Sequence, residues 1–117
     1  MRLNEIKFDD ARPIDGYGPG FFRVAGQLFE GDVFVSPSGV QPWDGYGDAA
    51  MLIRARDELD VVFIGTGGEV AHVPTAFRAA LEEAGLGVET MASPAACRTY
   101  NVLLSEGRRV GVALFAV

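Results

Sequence analysis

The sequence predicts an α/β protein: a central mixed β-sheet, helices on at least one of its faces, and early antiparallel hairpin strands packed as an additional layer. Three observations lead there. Before Leu59 the chain reads as short strands punctuated by Gly and Pro, and after it as β-α-β-α-β. Residues 60–64, Asp-Val-Val-Phe-Ile, form an almost unbroken apolar run of the kind found in strands buried on both faces. Residues 74–84 and 94–105 carry helical periodicity between the later strands. The 117 residues suffice for one ordinary domain, expected over residues 1–117, and are too few for two independent cores.

Taken in order, residues 3–9 alternate Ile6 and Phe8 against Glu5 and Lys7, which predicts a first strand. Asp10 to Gly20 holds two prolines and three glycines and is expected to be a loop or irregular turn. Strands are expected at Phe22–Ala25, Gln27–Phe29, Asp32–Ser36 and Val40–Gln41, separated by Gly26, Glu30-Gly31 and Pro37-Ser38-Gly39, as an antiparallel meander. A short helix over Asp48–Asp57 follows, with Asp48 as its cap and Ala49, Leu52, Ile53 and Arg56 along its inner edge. In the helix over 74–84, Phe77, Ala80, Leu81 and Ala84 share one face, while Arg78 and Glu82 pair on the other. Residues 87–91 make the next strand, parallel to 60–64 through the crossover helix.

The stretch from Met91 to Leu114 has the sharpest local signals. Ser93 suits an N-cap and Pro94 the first helical position, where its missing N–H costs nothing. Ala96, Tyr100, Leu103 and Leu104 fall on one face, and Gly107 stands where a helix commonly ends in a left-handed residue. A last strand spans 108–116. The turn at Ser105-Glu106-Gly107 is short, so this strand is compatible with either a parallel or an antiparallel return.

Composition narrows the partners. Ten basic against sixteen acidic residues give a net charge of −6, and nucleic acid or an anionic membrane surface requires a basic face. The longest apolar run, Val110 to Val117, is far short of the ~20 residues of a spanning helix. Charges occupy the N-terminal residues where a signal peptide needs an apolar run. A lone cysteine fits a reducing compartment, so a cytoplasmic location is expected.

Two segments carry candidate chemistry. Gly65-Thr66-Gly67-Gly68 follows a buried strand but departs from the known phosphate loops. Val70 stands where the dinucleotide fingerprint needs a glycine, and no Lys-Ser or Lys-Thr follows. The segment serves as a tight turn or binds a small anion through its backbone, and no NAD, FAD or ATP is expected. Cys97 lies in the first turn of its helix beside Arg98, where the helix dipole and the guanidinium both favour a thiolate. His72 is the only imidazole available as a base; the plain alternative is a small packed cysteine. One Cys and one His offer no metal-ligand spacing. Arg98, Thr99 and Asn101 need polar partners, either the glycine loop or a ligand, so Gly65, Thr66, Gly67, Cys97, Arg98, Thr99 and Asn101 form the candidate pocket. Tyr17, Phe21, Phe22, Trp43 and Tyr46, set among glycines, either cover the core or anchor a partner protein.

Ile64-Gly65-Thr66-Gly67 and the segment Met91…Ala95-Ala96-Cys97-Arg98-Thr99-Tyr100-Asn101…Glu106-Gly107-Arg108 resemble a small family of uncharacterised prokaryotic proteins. That family is related to the mitochondrial complex I assembly factor three and to the adipogenesis-associated domain protein. The resemblance implies a three-layer α/β fold with a central mixed sheet, and a protein-binding, non-catalytic role in assembling a membrane complex. Bacterial relatives are linked to membrane-protein insertion. It carries over no catalytic residue and no cofactor. The competing expectation is a small enzyme or ligand sensor built around Thr66, Cys97, Arg98 and Asn101.

Overall fold

The computed structural model describes residues 12–117, so the strand expected over 3–9 lies outside the described residues. Among the described residues, eight strands form two sheets. Strands β1 (Ile14–Gly18), β2 (Phe21–Val24) and β3 (Gln27–Glu30) make an antiparallel three-stranded sheet in that order. The remaining strands are β4 (Val33–Ser36), β5 (Gly39–Pro42), β6 (Val61–Gly65), β7 (Gly87–Met91) and β8 (Val110–Leu114). They form a mixed sheet in the order β5-β4-β8-β6-β7. Helices α1 (Ala49–Arg54), α2 (Thr75–Glu83) and α3 (Ser93–Ser105) complete the fold.

Each sequence feature acts through the side it buries. In the central sheet Phe34, Val62, Ile64, Val88 and Ala113 face α1 and α2, packing with Trp43, Leu52, Ala55, Phe77 and Leu81. The opposite side sends Val33, Val35, Phe63, Val110, Val112 and Leu114 toward α3 and the small sheet. There they meet Ala96, Cys97 and Tyr100 of α3 and Ile14, Phe22 and Val24. β8 therefore sits in the middle of the molecule, with all five of its residues buried.

β8 runs parallel to β6 and antiparallel to β4, which resolves the open direction of the last strand. The short turn at 105–107 does not reverse it. The 13 residues of α3 span about 20 Å at 1.5 Å per residue, enough to return the chain to the start of a parallel strand. Gly107 has φ of 81°, the left-handed conformation expected at that helix end.

Three local expectations need correction. Ile14–Gly18 is a strand rather than loop, with a register irregularity between Ile14 and Gly16 that leaves Asp15 as the extra residue. The meander is broken: β3 ends in the small sheet, and β4 begins in the central one after Gly31-Asp32. The helix foreseen over 48–57 stops at Arg54 and is followed by a 3₁₀ turn over Arg56–Glu58. Asp48 does cap it, accepting from the Met51 amide at 3.3 Å.

Candidate functional site

The three parallel strands β6, β7 and β8 end on the same edge of the central sheet, where α/β folds gather their crevices. The glycine loop and the start of α3 meet there, through Ser93. The Ser93 hydroxyl accepts from the Gly67 amide at 2.9 Å and donates to the Phe115 carbonyl at 2.7 Å. Its own amide donates to the Gly67 carbonyl at 2.7 Å. Ser93 is wholly buried, so these bonds satisfy a polar group that would otherwise be costly.

This arrangement corrects the reading of Ser93 as an N-cap. Ala92 holds the cap position, no side chain caps the helix, and Ser93 and Pro94 are its first two residues. The junction leaves no room at Gly65, where a Cβ would lie 2.9 Å from the Ser93 Cα and 2.7 Å from Leu114. Glycine is required there for close approach of two backbones, the packing counterpart of the turn role read from sequence.

Thr66 braces the loop that follows. Its hydroxyl donates to the Glu69 carbonyl at 2.7 Å and accepts from the Ala71 amide at 3.0 Å, while its amide donates to Met91. The loop contacts α3 at Ser93, and among the described residues no hydrogen bond joins it to residues 97–101. Asn101, two turns further along, donates to the Ile14 carbonyl and accepts from the Ile14 amide, both at 2.8 Å. It completes the backbone hydrogen bonding of Ile14, as a neighbouring strand would. The Tyr100 hydroxyl donates to the Arg12 carbonyl at 3.1 Å, and burial raises its pKa against the lowering effect of the Arg12 charge.

Cys97 is 4% exposed among Phe63, Tyr100 and Ile14. Burial pushes its thiol up to about 11, outweighing the nearby Arg98 charge and a backbone hydrogen bond. His72 is exposed beside Val73, which packs with the α1 and α2 core, whereas Cys97 belongs to the core on the opposite side of the sheet. Arg98 is exposed and Thr99 half-buried. Among the described residues no group of three His, Cys, Asp or Glu side chains has the arrangement of a metal site.

The aromatic candidates divide. Phe22 and Trp43 are core residues, 0% and 3% exposed. Trp43, Tyr46, Phe77 and Phe115 form a cluster of rings with centroids 4.9–6.1 Å apart, and Tyr46 stays half-buried. Tyr17 is exposed and Phe21 partly so, its ring lying against Gly18. Val70, noted in the sequence only as a departure from the dinucleotide fingerprint, is two-thirds exposed in the Thr66 loop, a position that no periodic pattern between Gly68 and Pro74 announces.

Residues 14–115 match the family model described as "Protein of unknown function (DUF498/DUF598)". The chain belongs to this family. An uncharacterized relative from Rhodobacter capsulatus is 45% identical over 97% of this chain and 92% of its own length. The human NADH dehydrogenase [ubiquinone] 1 alpha subcomplex assembly factor 3 is 30% identical over 86% of this chain. The chain spans 59% of that protein's length. In three dimensions the chain is similar to a protein described as an outer membrane protein from Bartonella henselae, with TM-score 0.85 and 37% identity over 93% of this chain and 98% of that one. A protein described as MT938 shares the fold at TM-score 0.64 and 15% identity, over 91% of this chain and 98% of that one. The family and its three-layer mixed α/β fold thus agree with the resemblance drawn from the Gly65 and Cys97 motifs. Among the described residues, no helix is long and apolar enough to cross a membrane.

Proposed function

We propose that this chain is a non-catalytic protein-binding module that helps assemble a multi-subunit complex at a membrane, working from the cytoplasm as a single domain. The observation that carries this reading is where the buried and half-buried polar side chains of the Thr66 loop and α3 are spent. Ser93, Tyr100 and Asn101 bond to the backbone of other elements and fasten the layers together, and Thr66 braces its own loop through Glu69 and Ala71. Among the acidic residues of the same edge, apolar side chains reach solvent, with Val70 and Tyr17 exposed and Tyr46 half-buried. The similarity to proteins named as assembly factors supports the same reading. The buried free thiol of Cys97 suits a reducing compartment.

The test is capture of the partner by crosslinking from native extract with the tagged chain, followed by affinity measurement on the purified pair. Cys97→Ala is expected to leave the affinity within twofold. Loss of binding by that variant while still folded, or turnover that depends on both Cys97 and His72, would decide for the enzyme or sensor built around Thr66, Cys97, Arg98 and Asn101.

A further inference from the structure

Phe115–Val117, the three residues after β8, are a hub on the C-terminal edge of the central sheet. The Ala116 amide donates to Asp32 Oδ1 at 2.8 Å, and the Val117 carbonyl accepts from Gly20 at 3.1 Å. The Phe115 ring packs on Trp43 and Tyr46, and Gly67 lies beside the Ala116 carbonyl. Four loops are thereby drawn to one surface: the β1–β2 turn, with Tyr17 just before it near the end of β1, the Glu30–Asp32 link, the Asp44–Asp48 turn, and the Thr66-braced loop with Val70. Val70 is 67% exposed and Tyr17 43%, while Tyr46 and Phe115 are half-buried.

The charges on these loops have one sign. Glu30, Asp32, Asp44, Asp48 and Glu69 all belong to them, and none of the four loops contains an arginine or lysine. Arg56, Arg108 and Arg109 lie toward the opposite edge, where Arg109 pairs with Asp60 and donates to the Asp57 carbonyl, both in the segment leading into β6. A second copy of this chain would set carboxylates against carboxylates, and an anionic bilayer would meet the same repulsion. A polypeptide segment with apolar side chains flanked by Lys or Arg matches both features.

Resting on the protein-binding reading above, we infer that this edge docks a basic, apolar segment of the partner protein, with Val70 and Tyr17 as apolar contacts and Glu69, Asp44 and Glu30 as its acidic rim. The probes are three synthetic 12-residue peptides: one of leucine and arginine, one with glutamate replacing arginine, and one with serine replacing leucine. Each is titrated against the full 117-residue chain at physiological salt, where charges farther apart than about 8 Å are screened. The Leu/Arg peptide is expected to bind at least tenfold tighter than either control, shifting the amide resonances of residues 44–46, 67–71 and 115–117. Val70→Asp is expected to weaken it at least fivefold, and the Glu69→Lys/Asp44→Lys double variant at least tenfold, with the remaining amide spectrum unchanged. Equal binding of the three peptides, shifts centred on another surface, or unaltered affinity in both variants would overturn the assignment. A captured natural partner that binds Val70→Asp as tightly as the parent chain would overturn this surface and leave the protein-binding reading standing. Turnover dependent on Cys97 and His72 is the separate outcome that removes the reading itself.

Discussion

The two sides of the central sheet are closed by different physics. On one, α1 and α2 lie over Phe34, Val62, Ile64 and Ala113, and the end of that layer is sealed by aromatic rings. On the other, α3 and the small sheet cover Phe63, Val112 and Leu114, and polar side chains of α3 fasten the joins. Apolar contact is non-directional, so the first side depends mainly on volume and tolerates changes of chemistry that keep size. The second also depends on groups that must meet a particular backbone atom, and it has no substitute for them once they are buried.

The largest expected effect tests whether the two sides are independent. Phe22→Ala on the second side should cost about 3–5 kcal/mol and Leu52→Ala on the first about 2–5 kcal/mol, since both side chains are wholly buried. Because β8 lies between the two cores and contributes to both, each variant should shift one common unfolding transition. Two separate transitions in calorimetry would show that the sides fold as distinct units and that one domain is the wrong description.

Next comes the polar fastening. Asn101→Ala strips both Ile14 backbone groups of their partner, at an expected cost of about 2–4 kcal/mol. Hydrogen exchange should then rise first at β1, before the central strands lose protection. Asn101→Asp is the sharper variant: it keeps the acceptor for the Ile14 amide and loses the donor to the Ile14 carbonyl. A cost for Asn101→Ala below about 0.5 kcal/mol, the usual limit for surface substitutions, would show that β1 is held by apolar packing alone.

What could be read in advance follows the same division. The strand at 87–91 was legible residue for residue and α3 to within one residue, because cap-type residues, proline, helical spacing and a terminal glycine act locally. β1 was not legible, since its strand character depends on Asn101, 87 positions away, and on pairing with β2. Ser93 shows the limit most clearly. Its residue type announced a helix start, and a helix does start there, but its hydroxyl is committed to a loop and a strand end brought near only by the fold. The same applies to the candidate pocket: Cys97 and Arg98 are neighbours in sequence, but the core around Cys97 decides its chemistry and raises rather than lowers its pKa.

That pKa gives the third test. The folded thiol ionises near 11, above the ~8.5 of an unperturbed cysteine. A raised folded pKa means that between these values the unfolded chain has released a proton which the folded chain retains. Stability is therefore unaffected below about pH 8.5 and falls as pH rises toward 11, with Cys97 responsible for roughly 2–3 kcal/mol by the top of that range. Tyr100, also raised by burial, adds a loss that begins above the ordinary tyrosine range. Chemical denaturation from pH 7 to 11 should show the decline, and Cys97→Ala should remove its earlier part. A Cys97 alkylated at pH 7.5 as fast as a free thiol would mean that the second side opens readily.

The smallest effect tests whether the first side truly lacks polar fastening. Its most evident ion pair is Arg78–Glu82, 3.4 Å apart on α2, with side chains 37% and 52% exposed. Such a pair gains little from Coulomb attraction in high dielectric and loses side-chain entropy in forming, so Glu82→Gln should cost no more than about 0.5 kcal/mol. Arg78 also donates to the Val88 carbonyl at 3.1 Å, linking α2 to the edge strand β7. Arg78→Ala should therefore cost more than Glu82→Gln, about 1–2 kcal/mol, the difference belonging to that backbone bond and to the lost alkyl packing. Raising salt to 1 M should erase the Glu82→Gln effect and leave most of the Arg78→Ala effect in place. Should Arg78→Ala instead match Asn101→Ala in cost and survive high salt undiminished, the first side would be fastened by a polar link as strong as those of α3. The contrast between the two sides would then reduce to which residues do the fastening.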